Sequence, residues 1–223
     1  MSDIKCIFFD FDGVIVPNSQ IIALNLMCEE LINYKISLDI NYCIEYYLGI
    51  RGEIVLDDIN RRFNTNVPMN ILKKIRMECK NTIISNQESQ QNLSVLLESI
   101  KDMYICSSNT FDFINDILNR MNLKRFFPNE KIFTAECVSA VKPSPEIYLK
   151  AISTTNLNLK NCVALEDSVV GILAAKRAGL YSIGYLGGIP YALQNKYCKL
   201  LRQAGADKII NCFSELIDKE DLV

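Results

Sequence analysis

The chain contains no histidine. That absence removes a Ser-His-Asp or Cys-His catalytic apparatus, a histidine metal site and any histidine proton shuttle. Catalysis would have to run on carboxylates, lysine, hydroxyls, backbone amides and metal. No apolar run is long enough to span a bilayer. The net charge of −2 is too small to point to nucleic acid or a membrane surface as partner. Met1-Ser2-Asp3-Ile4-Lys5 lacks the basic lead and small-residue cleavage site of a signal peptide. The nine cysteines are scattered, none forms a C-x-x-C pair, and several fall in apolar runs, which reads as buried reduced thiols. A cytoplasmic protein is expected.

What is present is concentrated in one stretch, Ile7-Phe8-Phe9-Asp10-Phe11-Asp12-Gly13-Val14. An apolar run ends in two aspartates one residue apart, then a glycine. Residues two apart in a strand share a face, so two carboxylates can be brought to one spot at the strand's carboxyl edge. Like charges so close repel, and one would be pushed toward its neutral form unless a divalent cation or a phosphate-transfer site relieves them.

The 223 residues suit one larger domain or a domain with an insertion. The first strand, about residues 4–9, is apolar on both faces, as in the centre of a parallel sheet covered by helices. Helical periodicity then runs through residues 21–32, 42–48, 54–63 and 71–84 with no convincing strand between. The polar run Asn86–Asn92 reads as a linker. From Leu93 onward helices and strands alternate, with strands at 103–106, 131–133, 162–165, 181–185 and 207–210. The expected fold is α/β: a doubly wound parallel-sheet core over residues 1–16 and 92–223, with an all-helical cap inserted at 17–91. Such sheets bind ligands beyond the carboxyl ends of their strands.

Three polar clusters sit at those ends: Asp10/Asp12, Ser107/Ser108/Asn109 and Glu166/Asp167. Lys142 opens a fourth segment, Val141-Lys142-Pro143-Ser144-Pro145. Each has a plainer reading. The aspartates can be turn formers, Ser-Ser-Asn a helix cap, Lys142 a solvated lysine, and Glu166-Asp167-Ser168 the cap of the next helix. Taken together, in order and at the expected element ends, they describe hard oxygens suited to Mg²⁺. A lysine, a hydroxyl and the backbone amides of Asp12, Gly13, Ser108 and Asn109 suit phosphate oxygens.

The run Phe9-Asp10-Phe11-Asp12-Gly13-Val14, the strand-end Ser107, Lys142-Pro143-Ser144-Pro145-Glu146-Ile147-Tyr148 and Glu166-Asp167-Ser168-Val169-Val170-Gly171 leading to Ala178-Gly179 resemble the haloacid dehalogenase superfamily. The similarity is to its phosphotransferases with a helical cap after the first motif. It implies Asp10 as nucleophile, forming an aspartyl-phosphate, and Asp12 as acid and then base. It implies Mg²⁺ held by Asp10, the backbone carbonyl of Asp12 and Asp167, with Glu166 adjacent. Phosphate would be bound by Ser107 or Ser108, Asn109, Lys142 and the loop at Gly13. A halide-displacing relative would need neither Asp12 nor the Glu166-Asp167 pair. A receiver module carries its acidic pair, not the acceptor, at the first strand and lacks the helical insertion. Mutases of the β-phosphoglucomutase type have an Asp-Thr/Ser-Glu run and a cap histidine where this chain has Pro17-Asn18-Ser19 and Ile22. A related phosphonate hydrolase uses a cap lysine as a Schiff base, and Gly49-Ile50-Arg51-Gly52 offers arginine, which forms no imine.

Hydrolysis of a small phosphorylated metabolite, a sugar phosphate or phosphosugar acid, is therefore expected. A mutase or an inactive phospho-ligand-binding relative is the alternative. Arg51 and Asn18 are candidate substrate contacts in the cap, and the plainer reading of Arg51 is a surface arginine. The expected state is a monomer or weak dimer.

Overall fold

The computed structural model describes residues 4–85, 91–154 and 158–217. The chain divides into two compact units, Met1–Pro17 with Glu88–Val223, and Asn18–Gln87. The sequence places the insertion over 17–91. Of the polar run expected as a linker, residues 86–90 lie outside the described residues, and Gln91 and Asn92 already belong to a helix.

The larger unit is built on six parallel strands: β1 (Cys6–Phe9), β2 (Asp102–Ser107), β3 (Ile132–Thr134), β4 (Cys162–Glu166), β5 (Tyr181–Tyr185) and β6 (Lys208–Ile210). Their order is β3-β2-β1-β4-β5-β6. All four residues of β1 are buried, which is why the strand reads as an unbroken apolar run rather than an alternating one.

The smaller unit holds four helices among the described residues: α1 (Ser19–Ile32), α2 (Ile40–Tyr47), α3 (Gly52–Phe63) and α4 (Ile71–Ser85). Its buried positions include Leu24, Met27 and Leu31 of α1, Cys43 and Tyr47 of α2, Val55, Leu56 and Ile59 of α3 and Ile71, Ile75, Cys79 and Ile83 of α4. Helical spacing of these residues makes each helix amphipathic, and burial of that stripe holds the unit together. Asp39 starts α2 by accepting the N–H groups of Asn41 (2.8 Å) and Tyr42 (3.2 Å), donors a helix leaves unpaired in its first turn.

In the larger unit α5 (Gln91–Ser99), α6 (Phe111–Arg120), α7 (Glu146–Ser153), α8 (Val169–Arg177) and α9 (Tyr191–Gln203) follow the strands. Cys6, Phe8, Cys106, Cys162 and Ala164 form one sheet face. They pack with Ile147, Tyr148 and Ala151 of α7 and Ala174 and Ala175 of α8. The small alanines of α8 let the helix lie close on the sheet, and Gly179, at φ +81°, ends it in the left-handed conformation. No described helix is long and apolar enough to cross a membrane.

β2 and α9 also depart from the sequence expectation. β2 runs on to Ser107, so that serine is the strand's last residue and not the first of the loop. The sequence expectation has no helix over residues 191–203, where α9 lies. Tyr197 and Leu201 are its buried residues, set among amides and cations, so its apolar stripe is thin.

The order of strands fixes where a ligand would sit. From β1 the chain goes to β2 on one side, and β4 is added on the other, so strand order reverses at β1. The carboxyl ends of β1, β2 and β4 therefore lie side by side at the position where open α/β sheets bind ligands.

Candidate active site

β1 ends at Phe9, which pairs with Ile105 of β2 and Leu165 of β4. The next residue, Asp10, donates its backbone N–H to the Leu165 carbonyl at 2.9 Å, which carries the ladder one step past the strand. By the same register Asp10 lies beside Cys106 and Glu166. Lys142 closes this row. Its buried Nζ donates to Asp10 Oδ1 (2.8 Å), the Cys106 carbonyl (2.7 Å) and Glu166 Oε1 (2.5 Å). An ammonium has three N–H donors, and each goes to a different one of the three central strand ends. Burial works against the Lys142 charge, but Asp10 and Glu166 outweigh it and its pKa is raised.

Glu166 is fully buried and held from several sides. Its Oε1 also accepts from the hydroxyl of Tyr148, whose ring lies edge-on to Phe8 and has the Lys142 ammonium 5.3 Å from its centroid. Its Oε2 lies 3.4 Å from Ser168 Oγ and points at Gly171, where a Cβ atom would sit 1.8 Å from it. Ser168 is the N-cap of α8 and accepts the Gly171 N–H at 3.1 Å, so the first turn of that helix is built around the carboxylate.

Beyond Asp10 the chain leaves the strand. Val16 donates to the Phe11 carbonyl and Gly13, at φ +80°, donates to the Val16 carbonyl, both at 2.9 Å. Left-handed backbone at Gly13 is what only glycine adopts without penalty. A Cβ on Gly188 would lie 2.3 Å from the Gly13 carbonyl and 2.8 Å from that of Pro17, so the segment after β5 touches this loop backbone to backbone. Asp12 Oδ2 accepts from the Asn109 side-chain amide. The Asn109 backbone N–H donates to Ser107 Oγ at 3.1 Å. Ser107 is buried and Ser108 exposed.

The site carries more negative charge than Lys142 offsets. Asp10, Glu166 and Asp167 are buried, and each brings a carboxylate oxygen within 4.8 Å of the others. Loss of water pushes the Asp167 carboxyl well above the usual range, and the charges of Asp10, Glu166 and Asp12 push it further. Burial also raises Glu166, with Lys142 and Tyr148 pulling it back. Three crowded, buried carboxylates present hard oxygen donors, which fits a small divalent cation such as Mg²⁺.

The profile of the haloacid dehalogenase-like hydrolases matches residues 7–185. The chain belongs to this family. It is 24% identical over 182 residues to the 6-phosphogluconate phosphatase of Escherichia coli, covering 81% of each chain. It is 32% identical over 106 residues to a phosphorylated carbohydrates phosphatase of Thermotoga maritima, covering 45% of this chain and 46% of that one. A conserved haloacid dehalogenase-like protein of unknown function from Agrobacterium tumefaciens has a similar solved structure. Its TM-score is 0.79 at 25% identity, over 96% of both chains.

In this haloacid dehalogenase-like hydrolase, Asp10, Asp12, Ser107, Asn109, Lys142, Glu166 and Asp167 all sit at the ends of β1, β2 and β4 or bond directly to residues there. Two have different surroundings from those expected. Asn109 uses its amide on Asp12 and its backbone N–H on Ser107. Lys142 spends all three donors on protein acceptors. The Asp12 carboxylate lies outside the cluster of three acids. In the helical unit, Asn18 precedes α1 and accepts the Ile22 N–H at 3.0 Å. Arg51 precedes α3, is half exposed, and lies 3.4 Å from Glu53.

Sequence reasoning assigned no role to Tyr148, Gly171 or Gly188. Tyr148 shares the helical stripe of Ile147 and Ala151 and reads as core. Gly188 follows β5, away in sequence from every motif that carries the site. For Gly171 the structure makes a direct prediction. Gly171→Ala must displace the Glu166 carboxylate and loosen its bonds to Lys142 and Tyr148. We expect unfolding free energy to fall by about 2–3 kcal/mol in urea titration. A change within about 0.5 kcal/mol would show that Glu166 is not pinned there.

Proposed function

We propose that the protein is a Mg²⁺-dependent phosphomonoesterase that works through an aspartyl-phosphate on a small phosphorylated metabolite, a sugar phosphate or phosphosugar acid. The observation that carries this reading is the pairing of two differently held aspartates at the switch point of the sheet. Asp10 is tied by one oxygen to a buried lysine, and Asp12, two residues on, is tied by one oxygen to an amide.

Each constraint fits a role. Lys142 fixes Asp10 Oδ1 and so orients the carboxylate, and attack on phosphorus is assigned to Oδ2. The bond from Oδ2 to phosphorus forms as the bond to the leaving oxygen breaks. Asn109 can only donate to Asp12 Oδ2 through its NH₂, so the proton that Asp12 delivers to the leaving oxygen is carried on Oδ1. Asp12 then takes a proton from the water that hydrolyses the aspartyl-phosphate. Ser107 Oγ accepts from Asn109, which turns its O–H toward donation to a phosphate oxygen. Ser107 is favoured over Ser108 because its position is fixed by the strand. Lys142 acts by holding Asp10 more than by touching phosphate.

Asp10, Asp167, Glu166 and the Asp12 backbone carbonyl would hold Mg²⁺, which when bound supplies positive charge that offsets the crowded acids and aligns nucleophile with phosphate. The substrate class rests on the relatives in E. coli and T. maritima, which are named for phosphosugar-acid and phosphorylated-carbohydrate hydrolysis.

The test is a panel of sugar phosphates and phosphosugar acids with the purified protein and Mg²⁺. Phosphate release is expected for some members, is lost with excess EDTA and is restored by added Mg²⁺. Acid quenching during turnover is expected to leave one phosphoryl group on the peptide that contains Asp10. Release from no member of the panel, or undiminished release in EDTA, overturns the reading.

A further inference from the structure

Two cysteines of the helical unit sit in direct contact. Cys28 of α1 and Cys43 of α2 have their Sγ atoms 3.4 Å apart. The helices are joined by a short connection whose turn places Lys35 in the left-handed region, at φ +60°. Cys43 is buried, while Cys28 is partly open to solvent.

The other thiols are placed differently. Cys6 and Cys162 face each other at paired positions of β1 and β4, but both are fully buried under α7 and α8. Cys106 is sealed beside Lys142, and Cys79 is buried against the Ser19 carbonyl. Contact with another thiol and access from solvent coincide at Cys28 and Cys43.

We infer that Cys28 and Cys43 form a reversible disulfide, made when hydrogen peroxide reaches Cys28 and joining α1 to α2. The sulfurs must close from 3.4 Å to about 2 Å for the bond to form. Cys28 is partly open to solvent and Cys43 is buried, which marks Cys28 as the sulfur that meets the peroxide first.

The step balances with the peroxide alone. The Cys28 sulfur attacks one peroxide oxygen, the O–O bond breaks, and the second oxygen leaves as water after taking a proton. Cys28 is then a sulfenic acid. The Cys43 sulfur attacks the Cys28 sulfur, the S–O bond breaks, and the hydroxyl leaves as a second water with the Cys43 proton. Two thiols give up two electrons and two protons, and the peroxide is reduced to two waters. The bridge would tether α2, the helix that leads into the Gly49–Gly52 turn. It stands apart from the hydrolase reading, because its readout is the state of two sulfurs.

The test exposes the full-length protein to hydrogen peroxide, blocks remaining thiols with an alkylating agent and digests without reductant for mass spectrometry. The expected result is a peptide pair joined through Cys28 and Cys43, lost on treatment with dithiothreitol. In Cys43→Ser the bridge is absent and Cys28 is trapped as sulfenic acid by dimedone. In Cys28→Ser, Cys43 stays a thiol. Recovery of both cysteines as alkylated thiols in the wild-type protein overturns the proposal. So does a bridge from Cys28 to any other cysteine, or failure of dimedone to label Cys28 in Cys43→Ser.

Discussion

Asp10→Asn is expected to reduce turnover by roughly 10⁴-fold or more while the protein stays folded. Asparagine has the shape of aspartate, and its carbonyl oxygen can still accept the Lys142 proton that Asp10 Oδ1 accepts. What it lacks is a carboxylate oxygen able to bond to phosphorus and leave again as part of a mixed anhydride. Stability gives the control. The substitution weakens an attraction to Lys142 but also removes one of three buried acids that repel one another. These terms oppose, so unfolding free energy should change by about 1 kcal/mol or less. Circular dichroism, urea titration and kcat on the best substrate of the panel measure both halves. A folded Asp10→Asn protein that keeps more than about a tenth of the wild-type kcat would remove Asp10 from the nucleophile's role, since loss of a covalent nucleophile costs far more than tenfold. The matching variant Asp12→Asn should also be slow, yet it keeps Asp10 and so can still accumulate phosphoryl-enzyme when the leaving group needs no proton.

The strands that carry this site were legible because burial on both faces forces an unbroken apolar run, and the first polar residue after it marks the strand's end. That places Asp10 and Glu166 at strand ends from sequence alone. It does not say that β1 lies between β2 and β4. Adjacency is a property of strand order, and only the order brings Asp10, Cys106 and Glu166 within reach of one ammonium. The charge stress read from Asp10 and Asp12 likewise acquires its full set of partners only in three dimensions. Asp167 carries a large share of it, through burial and through three neighbouring acids. Tyr148 was hidden for a related reason. Its hydrocarbon body obeys the helical period of the core, while its hydroxyl does the polar work on β4. Gly171 and Gly188 matter for atoms they do not have, and a missing Cβ leaves no trace in sequence until the atom it would strike is known. Helix α9 went unseen because few of its residues are buried, so periodicity gives a weak signal.

Lys142→Met is expected to be the most destabilising single change at the site. Methionine approximates the length and volume of the lysine stem but brings no charge and no donor. Its loss leaves Asp10 and Glu166 buried without their shared cation, and the Cys106 carbonyl without its side-chain donor. Removing one partner from a buried ion pair typically costs about 3–5 kcal/mol, because the remaining charge stays out of water. Two carboxylates lose their partner here, and part of the penalty is relieved if one of them takes up a proton. Tyr148 can still donate to Glu166, which makes Asp10 the worse affected of the two. Lys142→Arg does not rescue the site. A planar guanidinium is wider than an ammonium, and the cavity is closed by Tyr148 on one side and three strand ends on the other. Urea titration should show Lys142→Met less stable by several kcal/mol. The double variant Lys142→Met with Glu166→Gln should recover part of that loss, since it removes one of the stranded charges. If the single variant is within about 1 kcal/mol of wild type, the three-way contact contributes little to the fold and the role given to Lys142 in holding Asp10 fails. If the double variant is no more stable than the single, the penalty does not come from stranded charge.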